Sequence, residues 1–190
     1  MAGGPRAQGR AAALGCRRHR DRAARLAAAV NSPAGSPTRL VGLLAASGRT
    51  LATAESLTGG ALAARVVDVP GASAVFRGGV VAYATELKAR LLDVDADLLA
   101  RRGAVDPDVA LAMAAGVRAR LGADVGVSTT GVAGPDPQDG VAPGTVYVAV
   151  DDGTGEPRVR RLQVEGPRDA VRAASVEAAL GLLDEVLSAG

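Results

Sequence analysis

The chain holds 190 residues with 22 basic and 20 acidic side chains, a formal net charge of +2, and is 48% apolar but only 2% aromatic. A length of this order suits one domain with a true core, which must be assembled from Ala, Val and Leu because Phe76, Tyr83 and Tyr147 are the only aromatics. No run approaches the ~20 apolar residues needed to span a bilayer, which excludes a membrane partner and points to a soluble, cytoplasmic protein.

Residues 1–37 carry seven arginines against one acid, Asp21, and close on Asn-Ser-Pro-Ala-Gly-Ser-Pro. That composition reads as a flexible Arg/Ala/Gly/Pro-rich extension. Removing it leaves residues 38–190, the domain, with 15 basic and 19 acidic groups. A mildly acidic domain does not track phosphate backbones, so no nucleic-acid partner is expected. Cys16 and His19, each the only one of its kind, also lie in the extension. The domain therefore has no disulfide, no Cys/His zinc site and no histidine base. Neither a Ser-His-Asp triad nor a Cys-His pair can be built there; a base must be a lysine, a carboxylate or a tyrosinate.

From Thr38 helical and extended patterns alternate. Thr38–Ser47 reads as a short helix ended by Gly48, and Thr50–Glu55 as a buried strand. Ser56-Leu57-Thr58-Gly59-Gly60 turns into a helix reaching about Val67. Arg77–Tyr83 is a second strand, and Thr85 is the expected N-cap of the helix that holds Lys88. Ala96–Arg101 and Asp106–Leu121 follow as helices, the latter with Pro107 in its first turn. Asp124–Thr129 is a third strand, and Thr130–Asp136 a loop. Gly144–Asp151 and Arg158–Glu165 read as a hairpin, and Arg168–Leu187 as a closing helix. Strands separated by helices, with one late hairpin, predict a three-layer α/β/α sandwich on a mostly parallel sheet.

Of the 22 basic residues 21 are arginine, and the exception is Lys88. Arginine stays charged, whereas lysine can surrender its proton and act as a base. Near a helix N-terminus and partly desolvated, Lys88 is expected to lose its proton more readily than a surface lysine, unless it is exposed and paired with a neighbour such as Asp93. Tyr83, at the preceding strand end, is placed to relay or orient that proton. Ser56 sits at a strand-to-helix turn, where open α/β sheets present ligand-binding groups. The glycines that follow, Gly59 and Gly60, open a helix whose N–H groups are candidates for an oxyanion or a phosphate. In the loop Thr130-Gly131-Val132-Ala133-Gly134-Pro135-Asp136, the two glycines and the Thr130 hydroxyl could hold a phosphate; neither P-loop nor GxGxxG spacing is present. Arg168 and Arg172 lie four apart on the last helix, suited either to an anion or to salt bridges with Asp169 or Glu165.

Taken in order, Thr53–Gly60, Gly78–Lys88, Gly103–Pro107, Thr129–Pro135, Gly144–Val150 and Gly166–Arg172 resemble the CinA C-terminal domain family, the nicotinamide mononucleotide amidases, over about residues 38–187. The resemblance implies a five-stranded mixed α/β/α sandwich, often dimeric, hence a homodimer. It also implies hydrolysis of nicotinamide mononucleotide to nicotinate mononucleotide and ammonia, with no metal and no cofactor. On its terms Ser56 is the nucleophile, Lys88 its base and Tyr83 the assisting hydroxyl. Thr58, Gly59, Gly60, Thr130, Gly131, Gly134 and Arg168 would bind substrate. The chain departs from the family at Leu57, usually Cys, at Ala84-Thr85, usually Ser-Asn, and at Pro167, commonly Asp. Two rival readings stand beside the amidase: a non-catalytic nucleotide-binding regulatory domain linked to competence or DNA damage, and a metal hydrolase drawing on Asp136, Asp139 and Asp151.

Overall fold

The computed structural model describes Ala24 and residues 26–189; Cys16 and His19 lie outside the described residues. The elements are α1 (Pro37–Ser47), β1 (Leu51–Glu55), α2 (Ala61–Val67), β2 (Phe76–Val81), α3 (Thr85–Leu92) and α4 (Ala96–Arg102). After them come α5 (Pro107–Leu121), β3 (Val125–Gly131), β4 (Thr145–Asp151), β5 (Arg158–Gln163) and α6 (Arg168–Ala189). Within the expected extension, residues 26–30 are helical. They lie against α1, where Arg39 donates to the Val30 carbonyl and to Asp184 Oδ1 on α6, the latter at 2.8 Å.

Local chemistry sets the helix limits. Ser36, Asp95 and Asp106 accept from N–H groups at the starts of α1, α4 and α5, as N-caps do. Gly48 and Gly122 close α1 and α5 in the left-handed conformation that glycine adopts without steric cost. Thr85 is not the cap expected of it: Ala84 holds that position without a side-chain bond, and α3 begins at Thr85 itself. Lys88 therefore lies one residue deeper in the helix.

The sheet runs β2-β1-β3-β4-β5. β1 pairs in parallel with β2 and β3, while β3–β4 and β4–β5 are antiparallel. Four strands thus share one direction and β4 opposes them, the mixed and mostly parallel sheet expected. β1 is buried on both sides, as a central parallel strand should be. Leu51 joins α1, α2 and α6 in one core, and Ala52 with Ala54 joins α3, α4 and α5 in the other. Two apolar layers flank the sheet.

Small residues bring these layers close. Gly126 on β3 faces α5 so tightly that a Cβ there would lie 2.0 Å from the Ala114 carbonyl oxygen. Next along the same side of β3, Ser128 and Thr130 donate to the carbonyls of Ala110 and Ala104 at 2.6 and 2.7 Å. β3 runs two residues further than expected, through Thr130 and Gly131, because β4 pairs with it over that stretch. A chain poor in aromatics fills its interior by drawing backbones together. Gly126→Ala should cost about 1–3 kcal/mol, the usual price of overpacking, while Gly155→Ala, with open space around it, should change stability by less than about 0.5 kcal/mol. Urea unfolding of the two variants measures the difference.

Candidate active site

β1, β2 and β3 all end at one edge of the sheet, with Glu55 opposite both Val81 and Thr129. Ser56 leaves β1 there and its N–H donates to the Thr129 carbonyl. α3 starts four residues beyond the end of β2 and turns Lys88 and Leu92, one helical turn apart, into the protein. An amine thus occupies a position on the buried stripe that periodicity would assign to an apolar side chain.

Lys88 is 1% exposed. Its Nζ lies 3.1 Å from Ser56 Oγ and donates to the Ala82 carbonyl at 3.1 Å. Among the described residues no carboxylate bonds it; Asp93, the alternative partner, ends α3 in the left-handed conformation and lies 3.8 Å from Arg120. Burial pushes the amine down from 10.5 to about 8, against a smaller upward pull from Glu86. Desolvation is the larger of these two causes.

Above this pair opens a cleft of about 290 Å³, lined by Ser56, Leu57, Tyr83, residues 131–134, 136–138 and Arg168. Tyr83 is 58% exposed and lines the same cleft as Ser56. Its hydroxyl oxygen accepts from Arg168 Nη2 at 2.6 Å, and Arg168 Nη1 donates to the Gly134 carbonyl at 3.0 Å. Among the described residues it bonds neither Ser56 nor Lys88, so the relay expected between them is not present. Gly131 lines the cleft from β3, where a Cβ would come within 2.8 Å of the Thr145 carbonyl oxygen.

Three expected substrate contacts are already occupied. The Thr130 hydroxyl is committed to Ala104 on the α5 side of the sheet. That of Thr58 is shared between Glu55 at 2.7 Å and Thr129 at 2.8 Å. The opening of α2, expected to receive an anion, already holds one. Glu55, 1% exposed, accepts from the N–H groups of Gly60, Leu62 and Ala63 at 2.8–3.0 Å, and Ala61 donates to the Thr58 carbonyl. All four free donors of the helix end are thereby consumed, and a carboxylate offsets the positive end of its dipole. By contrast, the N–H groups of Leu57 and Thr58 have no acceptor among the described residues.

The carboxylates of the metal-hydrolase reading do not converge. Asp136 lines the cleft, but Asp151 sits at the far end of β4 opposite Gly126, paired with Arg118 at 2.9 Å. Among the described residues no three His, Cys, Asp or Glu side chains cluster as a metal site. No described helix is long and apolar enough to cross a membrane.

The fold and site define an α/β sandwich that presents a buried serine–lysine pair at the carboxyl edge of its parallel strands. Residues 35–187 match the CinA C-terminal domain, and the chain belongs to that family. It is 52% identical over 151 residues to a CinA-like protein of Frankia casuarinae, covering 78% of this chain and 34% of that protein. A putative competence-damage inducible protein of Desulforamulus reducens is 46% identical over 145 residues, 76% of this chain and 35% of the relative. The chain thus spans about a third of these curated relatives. Among solved structures, a competence-damaged protein (CinA) superfamily protein of Klebsiella pneumoniae superposes with a TM-score of 0.76 at 34% identity, over 82% of this chain and 96% of that one. The competence/damage inducible protein CihA of Agrobacterium tumefaciens gives 0.77 at 31%, over 82% and 97%.

A buried amine without a counter-charge costs stability, and linkage gives the sign. Between pH 8 and 10.5 the unfolded chain retains a proton that folded Lys88 releases, so stability rises with pH across that window. Lys88→Met should therefore raise stability near pH 7 by about 2 kcal/mol after the lost hydrogen bonds are deducted. It should also abolish the rise between pH 8 and 10.5, as read from denaturant midpoints at each pH.

Proposed function

We propose that this domain hydrolyses the carboxamide of nicotinamide mononucleotide, giving nicotinate mononucleotide and ammonia. The observation that carries the reading is the 3.1 Å approach of the buried Lys88 amine to the Ser56 hydroxyl at the floor of the cleft. An amine titrating near pH 8 is a base matched to neutral solution, and a serine needs such a neighbour to become a nucleophile.

Neutral Lys88 takes the Ser56 proton as Oγ attacks the carboxamide carbon. The oxygen that becomes negative is met by the free N–H groups of Leu57 and Thr58, donors fixed before the charge forms. Lys88 returns the proton to the departing nitrogen, ammonia leaves, and Ser56 carries the acyl group as an ester. Water, deprotonated by the same amine, then attacks the ester; the carbon–Oγ bond breaks, the Lys88 ammonium returns its proton to Ser56 Oγ, and the carboxylate product leaves. Arg168, with two of its five N–H donors used on Gly134 and Tyr83, faces the phosphate with the remainder. Tyr83 accepts from Arg168 and so keeps its own O–H for the ligand. Its role in this reading is at the cleft mouth, on substrate rather than on the dyad. The domain works as a homodimer in the cytoplasm, without metal or cofactor.

Purified protein incubated with the mononucleotide should release ammonia and nicotinate mononucleotide, with kcat/KM rising as pH increases through about 8. Binding by calorimetry with no product at any pH would instead favour a regulatory nucleotide-binding domain. Lys88→Arg should be as inactive as Lys88→Ala, since a guanidinium does not yield its proton, and Ser56→Ala should bind substrate with near-normal affinity.

A further inference from the structure

Every functional group of the proposed hydrolysis that comes from the 56–60 turn depends on the turn's backbone being held still, and two charged side chains outside the cleft hold it. On one side is the Glu55 carboxylate, fully buried and engaged by Thr58 Oγ1 and by the N–H groups of Gly60, Leu62 and Ala63. On the other is Arg172, one helical turn after Arg168 on α6. Its Nε donates to the Leu57 carbonyl at 3.0 Å and its Nη2 to the Thr58 carbonyl at 2.8 Å. The guanidinium lies beside Gly59, where a Cβ would stand 3.7 Å from Nη2. Arg172 is not part of the cleft wall, so its charge is spent on the backbone and not on an anion.

We infer that Glu55 and Arg172 are positioning residues that clamp the nucleophile turn from opposite polarities, the carboxylate taking its donors and the guanidinium its acceptors. The inference rests on the reading of Ser56 as nucleophile. Fixing the Leu57 and Thr58 carbonyls fixes the peptide planes that bear the N–H groups of Thr58 and Gly59, because carbonyl and N–H of one peptide unit point in opposite directions. Gly59 donates back to the Ser56 carbonyl, which ties the nucleophile's own main chain into the clamp. Releasing Arg172 therefore loosens both Oγ and an N–H donor of the proposed oxyanion site. Catalytic rates tolerate such displacement poorly: about 1 Å can cost a hundredfold.

The test measures Ser56 competence without the mononucleotide. A fluorophosphonate probe, which phosphonylates an activated serine as the P–O bond forms and fluoride leaves, is added to wild-type protein, Ser56→Ala, Arg172→Ala, Arg172→Lys and Glu55→Gln, and labelling rates are followed by mass spectrometry. Wild type should label at Ser56. Arg172→Ala should label about a hundredfold more slowly, keep a KM for the mononucleotide within about threefold of wild type, and recover rate when free guanidinium is added at sub-denaturing concentration. Arg172→Lys, which supplies charge without the two-pronged donor, should stay slow, and Glu55→Gln, which replaces one acceptor oxygen with a donor, should be slow as well. Labelling of Arg172→Ala at the wild-type rate overturns the clamp and leaves the serine–lysine reading standing. So does loss of labelling that follows loss of thermal stability and does not respond to guanidinium. Failure of wild type to label overturns the serine–lysine reading itself, and the clamp with it.

Discussion

A lysine ammonium carried into a protein interior loses the water that stabilises it, and a carboxylate ordinarily takes that water's place. Among the described residues the only oxygens bonded to Lys88 are a hydroxyl and a carbonyl, both uncharged. The imbalance lowers the affinity of the amine for its proton and leaves it 3.1 Å from the Ser56 hydroxyl. The interior position of β1 between β2 and β3, the entry of α3 at the end of β2 and the burial of Leu92 one turn after the amine are the means by which that unfavourable burial is maintained. Stability is surrendered at one side chain; in the proposed function, reactivity is what that supports.

The surrounding architecture divides the labour. The three parallel strands β1, β2 and β3 deliver the cleft, while β4 and β5 widen the sheet and shelter its cores. Hydroxyls along β3 bond carbonyls of the α5 side, so the polar residues of that strand cement layers together instead of meeting ligand. The opening of α2 illustrates the same economy. A buried glutamate satisfies the helix end from within, and among the described residues the donors left over are those of Leu57 and Thr58, directly after Ser56.

Much of this was legible in the chain. The alternation of helical and extended segments predicts the sandwich, and the solitary lysine among arginines is the side chain that lies buried against Ser56. What misled was the habit of reading each polar residue near a site as facing it. Thr130 obeys the two-residue period of β3, which turns it with Gly126 and Ser128 towards α5. Thr58 and the glycines after it belong to a helix end whose anion is the residue preceding Ser56. That signal was present: an acid immediately before a serine and a glycine-opened helix is where a carboxylate can cap it. The spacing of Arg172 from Arg168 suits an anion or a salt bridge, but its partners are the main-chain carbonyls of Leu57 and Thr58, which no spacing encodes. The segment from Asp136 to Pro143 also held an unused cue. Asp139-Gly140 joins Gln138 to Val141, which exchange two backbone hydrogen bonds, with both central residues at positive φ, the conformation an Asp-Gly pair favours in two-residue hairpins.

The reversal between β4 and β5 falls at residues 152–157, exposed for most of its length and built around Gly153 and Gly155. Because β4 runs against its neighbours, this bend emerges at the end of the sheet remote from Ser56, beside Gly126 rather than Gly131. The molecule therefore has a working end and a handling end. A fluorophore, an affinity tag or a surface tether attached at the bend would leave the mouth of the cleft facing open solvent.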